Sequence, residues 1–597
     1  MSVGGRGQIR RSQIITTYGP GALIDLPRDS AIVAGLEAWP GPGQLQELNE
    51  PRLERRLRDM TGVAAPRLYA PPTRDESEFW RKSPPGITAW RFPAWFVVQV
   101  DEDSRPLVHR DALDERRRYG GKPTVATRFV RACPNGHVDD IPWSDFVHRG
   151  RADHVPRLTL EESGATGELG NLWVRCGCGK SRRMSEAADI STKPLGACRG
   201  ARPWLGPHAA EDCGVPSRLL IRTATNAYFP MVVRALSLPE RGDALDQAVN
   251  DLWDDLHIVD DADDLRVLKK KPTVAHALAG FEDDEVLEAI QRRKSGSTQT
   301  AASVKSVELD ALLNVEEGYG DDVPINLDFH ARKLPGGYRS ERFPGLATVV
   351  QVHRLREVLA LAGFTRLEAP MPDIDGEYRD DVKRADLAID PSWFPAVENR
   401  GEGVFLHLAS DAVRAWRARL GVKRRLADLE RGHGAWAEQR KNSQPFPGGP
   451  YVMLHTLSHL LLQSLSMHCG YPAASIRERI YVDARGERYG LLLYTASPDA
   501  EGTLGGLVQQ ARDIEIHLER ALEAAELCSN DPVCAQHRPS VSVEDRLLHG
   551  AACHGCTLIA ETSCEMWNDY LDRALVVPTL DVPDAAFFEP AAAQGPA

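Results

Sequence analysis

The chain has 597 residues, a formal net charge of −13, 42% hydrophobic and 26% charged residues, enough for three or four soluble domains with sizeable cores. A surface that wraps nucleic acid throughout would be basic, so any contact with DNA is expected to be a local patch or to come from a partner. There is no run of 18 apolar residues and no apolar stretch behind the basic N-terminal residues, which argues against a transmembrane helix and a secretory signal and for the cytoplasm, where thiols stay reduced.

The pattern along the chain predicts an α/β multidomain protein: an α/β core, two zinc-stabilised loop-rich modules and a helical middle region. Residues 1–120 read as an N-terminal mixed domain, with a tight turn at 17–21 and a strand at 96–100. Residues 121–230 carry five clustered cysteines and few periodic runs, as a metal-stapled module would. Residues 231–340 are mainly helical by their three-to-four apolar spacing at 244–257 and 283–293, with a polar linker at 294–305. Residues 341–525 alternate strands and helices and form the expected α/β core. Its elements are a strand turning into a helix over 342–362, a strand at 403–408, a helix at 451–469, strands at 480–483 and 491–495, and a long helix at 504–525. Residues 526–580 form a second cysteine-rich module, and 581–597 read as a disordered tail.

The cysteines carry the strongest chemical signal. Structural zinc takes four thiolate or imidazole ligands, usually as two close pairs from separate loops. The first cluster offers six candidates, Cys133, His137, Cys176, Cys178, Cys198 and Cys213, for four places around one zinc. Cys176-Gly177-Cys178-Gly179 suits one pair, and the second pair is open among the other four. The second cluster offers Cys528, Cys534, Cys553, Cys556 and Cys564, with Cys553-x2-Cys556 at zinc-knuckle spacing; four of the five complete a closed site. One structural zinc per cluster is expected. Buried thiols, a redox Cys-x-x-Cys and an iron–sulfur cluster are the alternatives.

Motifs for catalysis are weak. Gly179-Lys180-Ser181 resembles the end of a phosphate-binding loop, but Val174 stands where that loop needs Gly, so ATP hydrolysis by this chain alone is not expected. His455 and His459 share one helix face, yet Thr456 replaces the Glu of a metalloprotease helix, and the surrounding leucines favour a packed helix. Asp373, Lys383, Glu398 and Arg400 loosely resemble a metal-dependent nuclease set with poor spacing, and ordinary surface acids are the preferred reading. Glycines at 502–506 could cradle phosphate, but close packing is favoured. Basic runs at 52–58 and 269–271 read as solvated faces. Lys180, Arg182 and Arg183, beside a zinc-knuckle turn, are the best candidates for DNA phosphate contacts.

Several segments taken together resemble a known family. The stretch from Arg11-Ser12-Gln13 to Gly19-Pro20-Gly21-Ala22, the run Cys133-Pro134-Asn135-Gly136-His137-Val138-Asp139-Asp140-Ile141-Pro142-Trp143, and Arg202-Pro203-Trp204-Leu205-Gly206 are similar to DrmB-type proteins of the DISARM anti-phage system. The C-terminal part resembles their helicase-associated domain of unknown function at His455-Thr456-Leu457-Ser458-His459, at 491–494 with 502–507, and from Cys553 through Cys564 to Asn568 and Leu571-Asp572-Arg573. The likeness is vague between about 235 and 340 and brings no catalytic residues. It implies a non-catalytic subunit that partners the superfamily-two helicase DrmA and supports DNA binding in the restriction of foreign DNA. A metal-dependent nuclease and a stand-alone zinc DNA-binding protein are the other readings.

Overall fold

The computed structural model describes residues 9–588 apart from 27–28, 73–85, 101–103, 164–167, 239–244, 246–247, 250–251, 295–302, 320–327, 336–337, 339, 379–382, 441, 443, 484–485, 496–505 and 540–545. Two units divide it, 1–235 with 358–372 and 377–398, and 236–357 with 373–376 and 399–597. Both mix helices with sheets, as the sequence pattern predicts. Among the described residues no helix is long and apolar enough to cross a membrane.

The first unit is built on a seven-stranded antiparallel sheet in the order Ser181–Arg183, Leu172–Cys176, Leu158–Glu162, Ser104–His109, Trp95–Val98, Lys122–Ala126 and Arg118–Tyr119. Side chains alternate across a strand, so Leu172, Val174 and Cys176 turn inward while Arg175 stays exposed. That inward face packs on Trp143, Phe146 and Val147 of the short helix Trp143–His148. Cys176 is thereby held at the end of its strand and His148 at the end of the helix. A second anchor is Arg366, which is completely buried. Its guanidinium donates to the carbonyl oxygens of Gly136 (2.8 Å), Ala227 and Gly21 and lies over the Phe364 ring at 4.8 Å. Three loop segments far apart in sequence are thus tied by one side chain.

In the second unit residues 403–408, the end of the strand Trp393–Leu408, pair antiparallel with Arg488–Thr495, which pairs antiparallel with Ile476–Asp483. The helix Gly449–Cys469 packs against the last two strands and against the helix Ile514–Glu526. Pro450 in its first turn and Gly470 in the left-handed region just past its end (φ 76°) mark its limits. From Gly449 to Leu462 every residue is buried, so this stretch of the helix has no solvent face; only the last turn, at Met467 and His468, is exposed. A smaller helical core, with Leu256, Leu265, Val274, Leu278, Val286 and Ile290, occupies the middle region.

Three expectations are corrected. The segment at 342–362 does not turn helical; Leu346–Thr365 is one continuous strand. It is buried along most of its length, and a strand covered on both faces reads as an apolar run that periodicity cannot separate from a buried helix. The helix expected at 504–525 is two helices, Gly506–Gln509 and Ile514–Glu526, and residues 502–505 lie outside the described residues. Residues 582–588 of the expected disordered tail are docked: Ala585, Ala586, Phe587 and Phe588 are buried, and the Trp416 indole donates to the Ala585 carbonyl at 2.8 Å. The rest of that tail, 589–597, lies outside the described residues, as do 295–302 of the expected linker and part of 244–257, where Trp253–Leu256 is helical.

Burying the Gly449–Leu462 stretch requires partners for its polar residues. Thr456 accepts the backbone N–H of Asp572 (2.9 Å). The Asp572 carboxylate is paired with Arg425 at 2.6 and 3.1 Å, with side-chain exposures of 2% and 0%. Removing one member of such a pair strands the other charge in the interior and costs about 3–5 kcal/mol. Arg425→Met is therefore expected to lower unfolding free energy by about that amount in denaturant titration, and adding Asp572→Asn to recover part of it. A loss below about 1 kcal/mol, the scale of a surface pair, would refute the assignment.

Candidate metal centres

Among the described residues, four groups of His, Cys or Glu side chains bring four ligand atoms each within 4.8 Å of one another. They absorb ten of the eleven cysteines, all but Cys469. The six residues of the first sequence cluster do not compete for one place. They separate into Cys133–His137–Cys198–Cys213 and, with two histidines the sequence pattern did not single out, His148–His154–Cys176–Cys178.

The first quartet is built on a tight turn. Gly136, in the left-handed region (φ 83°), donates its N–H to the Cys133 carbonyl at 3.0 Å, and this brings His137 back beside Cys133 with Nδ1 3.4 Å from Sγ. Cys213 Sγ lies 3.9 Å from Cys133 Sγ. Cys198 Sγ accepts the Gly200 backbone N–H at 3.3 Å. A hydrogen bond from Cys133, which wins over burial, holds the Cys198 thiol down to about 4, and Cys133 is pushed up in return. His137 Nε2 meets Glu211 at 2.7 Å, the second-layer carboxylate that turns the opposite ring nitrogen toward a metal.

The second quartet sits on the hairpin turn between Leu172–Cys176 and Ser181–Arg183. Gly179 (φ 93°) closes the turn with its N–H on the Cys176 carbonyl at 2.9 Å. His154 Nε2 lies 3.3 Å from Cys176 Sγ, and His148 Nε2 3.4 Å from Cys178 Sγ. Both rings are fixed by Nδ1, on Asp153 Oδ1 (2.9 Å) and on the Ser144 carbonyl (2.7 Å). The Lys180 backbone N–H and His148 hold Cys178 down to about 6.

The third quartet is Cys528–Cys534–Cys553–Cys556. Four sulfurs around zinc at about 2.3 Å stand about 3.8 Å apart; the separations here are 3.4, 3.7 and 3.8 Å for the pairs 528–553, 553–556 and 534–556. Backbone N–H groups of Asn530 and Gly555 point at Cys528 and Cys553 at 3.4 and 3.3 Å. A hydrogen bond from Cys534 holds Cys556 down to about 5. These distances and donors fit a tetrahedral zinc. Cys564 is not part of this set. It stands with His455, His459 and Glu478 in the fourth quartet, so the His455–His459 pair, read from sequence as simple packing, faces ionisable partners. The available signals were the fifth, surplus cysteine and two histidines four residues apart.

The basic turn and the acidic set resolve differently. Arg182 points inward: it is 7% exposed, pairs with Glu186 (3.0 Å), donates to the Phe146 carbonyl (3.0 Å) and covers the Phe146 ring. It belongs to the core of the module. Lys180 and Arg183 are exposed, and the Arg183 guanidinium lies 4.6 Å from the Trp173 ring centroid. Gly179 closes the turn that begins at Cys176, and Ser181 opens the strand Ser181–Arg183, so no helix N-terminus stands directly behind Gly179-Lys180-Ser181. Asp373 caps a turn through the Asp375 N–H (2.9 Å) and Arg400 pairs with Asp328 (3.2 Å). None of Asp373, Lys383, Glu398 and Arg400 belongs to any of the four quartets. Other basic positions are neutralised locally, Arg52 by Glu50, Arg56 by Glu377, Lys269 by Asp283 and Lys271 by Asp255.

Comparison with known proteins agrees with this layout. Residues 10–229 match a family described as Domain of unknown function (DUF8724), which spans the first two quartets. Residues 457–557 match the MrfA Zn-binding domain, which contains all four cysteines of the third. The chain is 32% identical over 540 residues to the DISARM protein DrmB of Bacillus paralicheniformis, covering 86% of this chain and 94% of that protein. With that identity sustained over nearly the whole of both chains, the protein belongs to the DrmB family of DISARM proteins.

Proposed function

We propose that this chain is a non-catalytic, zinc-stabilised subunit of a cytoplasmic anti-phage complex, in which it partners a superfamily-two helicase and supports DNA binding during restriction of foreign DNA. The observation that carries the reading is the near full-length match to a DISARM protein DrmB. The chemistry of the quartets supports it. Four protein ligands leave a zinc ion no open position for water or substrate, so such sites hold folds together and do not catalyse. On this reading the first three quartets are structural zinc sites, more than the one per cysteine cluster that spacing suggests.

Binding of a structural zinc is coupled to folding of its loops. Cys553→Ser with Cys556→Ser is expected to release zinc from the third quartet and open residues 528–556 to proteolysis, as followed by metal analysis and limited digestion. Retention of the full metal complement and of protease resistance would remove zinc from this module.

Co-expression with a DISARM superfamily-two helicase is expected to give a stable complex, and the purified chain alone to show neither ATP hydrolysis nor magnesium-dependent DNA cleavage. Failure to form any complex, or robust cleavage by the chain alone, would favour the stand-alone and nuclease readings respectively.

The DNA contact is proposed at the hairpin turn, through Lys180 and Arg183. Arg182 is excluded from the test because a carboxylate there would be buried beside Glu186. Lys180→Glu with Arg183→Glu is expected to weaken DNA binding by the complex and reduce the slope of log affinity against log salt by roughly 1.8, two phosphates' worth of released counterions. An unchanged affinity and slope would place the contact elsewhere.

A further inference from the structure

We propose that His455, His459, Glu478 and Cys564 hold a further metal ion, a divalent transition metal of the zinc class, sealed in the core of the second unit. Two of its ligands, His455 and Cys564, lie outside the zinc-binding match over 457–557, which contains His459 and Glu478.

The four ligands come from three separate places in the chain. His455 and His459 are one turn apart on the buried helix Gly449–Cys469, Glu478 is on the strand Ile476–Asp483, and Cys564 is in the loop that follows the third quartet. His455 Nε2 lies 3.1 Å from Cys564 Sγ and 3.0 Å from Glu478 Oε1, and His459 Nε2 lies 3.5 Å from Glu478 Oε2. The exposures are 0% for both histidines and the glutamate and 5% for the cysteine.

Three of the four ligands are aimed by an outer partner, as metal ligands are, while His455 Nδ1 is buried without one. His459 donates from Nδ1 to the Thr557 carbonyl at 2.8 Å, which leaves the Nε2 lone pair pointing into the quartet. That Nε2 is buried and has no hydrogen-bond partner. Cys564 Sγ receives two backbone N–H groups, from Asn568 (3.1 Å) and Met566 (3.3 Å). Glu478 Oε1 is held by the Glu565 N–H at 2.9 Å and Oε2 by the Ser458 hydroxyl.

Charge selects the kind of ion. Two neutral imidazoles, one carboxylate and one thiolate carry −2 together, so a divalent cation makes the set neutral. Neutrality is what a site with no access to water requires, because an uncompensated charge there is strongly disfavoured. The donor set selects further. One soft sulfur and two imidazole nitrogens suit zinc, cobalt or ferrous iron, whereas magnesium and calcium want oxygen ligands throughout. With all four places filled by protein the ion would be structural, joining the helix to the sheet and to the C-terminal loop.

The test is anomalous diffraction from crystals of the full-length chain, with data at the zinc, cobalt and iron edges. A peak is expected among the four side chains, in addition to one within Cys528–Cys556. In parallel, Cys564→Ser and His459→Gln are expected to lose one equivalent of metal per chain; if either variant fails to fold, the parent crystals decide alone. No anomalous peak among these four residues at any of the three edges would overturn the proposal, whatever the third quartet contains. A peak here with an empty third quartet would instead overturn the zinc reading of that module.

Discussion

The second unit is organised by one constraint: the helix Gly449–Cys469 is buried on all sides from Gly449 to Leu462 yet carries polar residues there. A helix satisfies its own backbone, but each buried hydroxyl, amide and imidazole needs a partner from elsewhere. The segments that follow in sequence supply several of them. Thr456 receives Asp572, which brings Arg425. Gln463 donates to the Cys556 carbonyl at 3.1 Å and His459 to that of Thr557. His455 meets Glu478 and Cys564. Residues 553–572 have little regular structure of their own; their path is set by the polar groups of the helix they cover.

The same principle sorts the four quartets by charge. A divalent ion with four thiolates leaves −2, with three thiolates and one imidazole −1, and with the two mixed sets zero. The set of four thiolates lies beside Arg573, whose guanidinium interacts electrostatically with Cys534 and Cys556. The set with three thiolates has Arg366 near Cys133, a buried guanidinium whose hydrogen bonds go to carbonyl oxygens. The sets that would be neutral with an ion are the one with no solvent access and the hairpin turn, where Cys178 and His154 are exposed. Arginines thus stand where a bound ion would leave negative charge, as burial of a charged cluster requires.

The sequence made some of this legible and hid the rest for physical reasons. The strands around 403–408 and 491–495 and the helix at 451–469 were readable because long apolar patterns bounded by Gly and Pro leave few alternatives. Leu346–Thr365 was not, because burial on both faces erases the alternation that marks a strand. Close cysteine spacing pointed to metal at Cys176–Cys178 and Cys553–Cys556, since knuckle pairs are local. The partners of those pairs are set by tertiary contacts: His148 arrives from the end of a helix and His154 from a loop. Arg182 was misread because a basic run gives no sign of which residue faces the core; strand alternation turns Arg182 inward and Arg183 outward.

These features also bear on the proposed role beside a helicase. Every quartet has four protein ligands, so an ion bound there has no vacancy for chemistry, and ten of eleven cysteines are committed to those positions. Lys269 and Lys271 of the basic run at 269–271 are paired with nearby carboxylates, and the whole carries −13. Counterion release gives such a surface little affinity for DNA by itself. What the fold offers is rigidity: loops pinned at their tips, and an exposed Lys180 and Arg183 held on a hairpin whose turn is locked by Cys176, Cys178 and Gly179. Groups already fixed in place lose less entropy on binding than mobile ones. A small rigid basic turn on an acidic protein is suited to adding register and orientation to an interaction whose main attraction is supplied by another subunit.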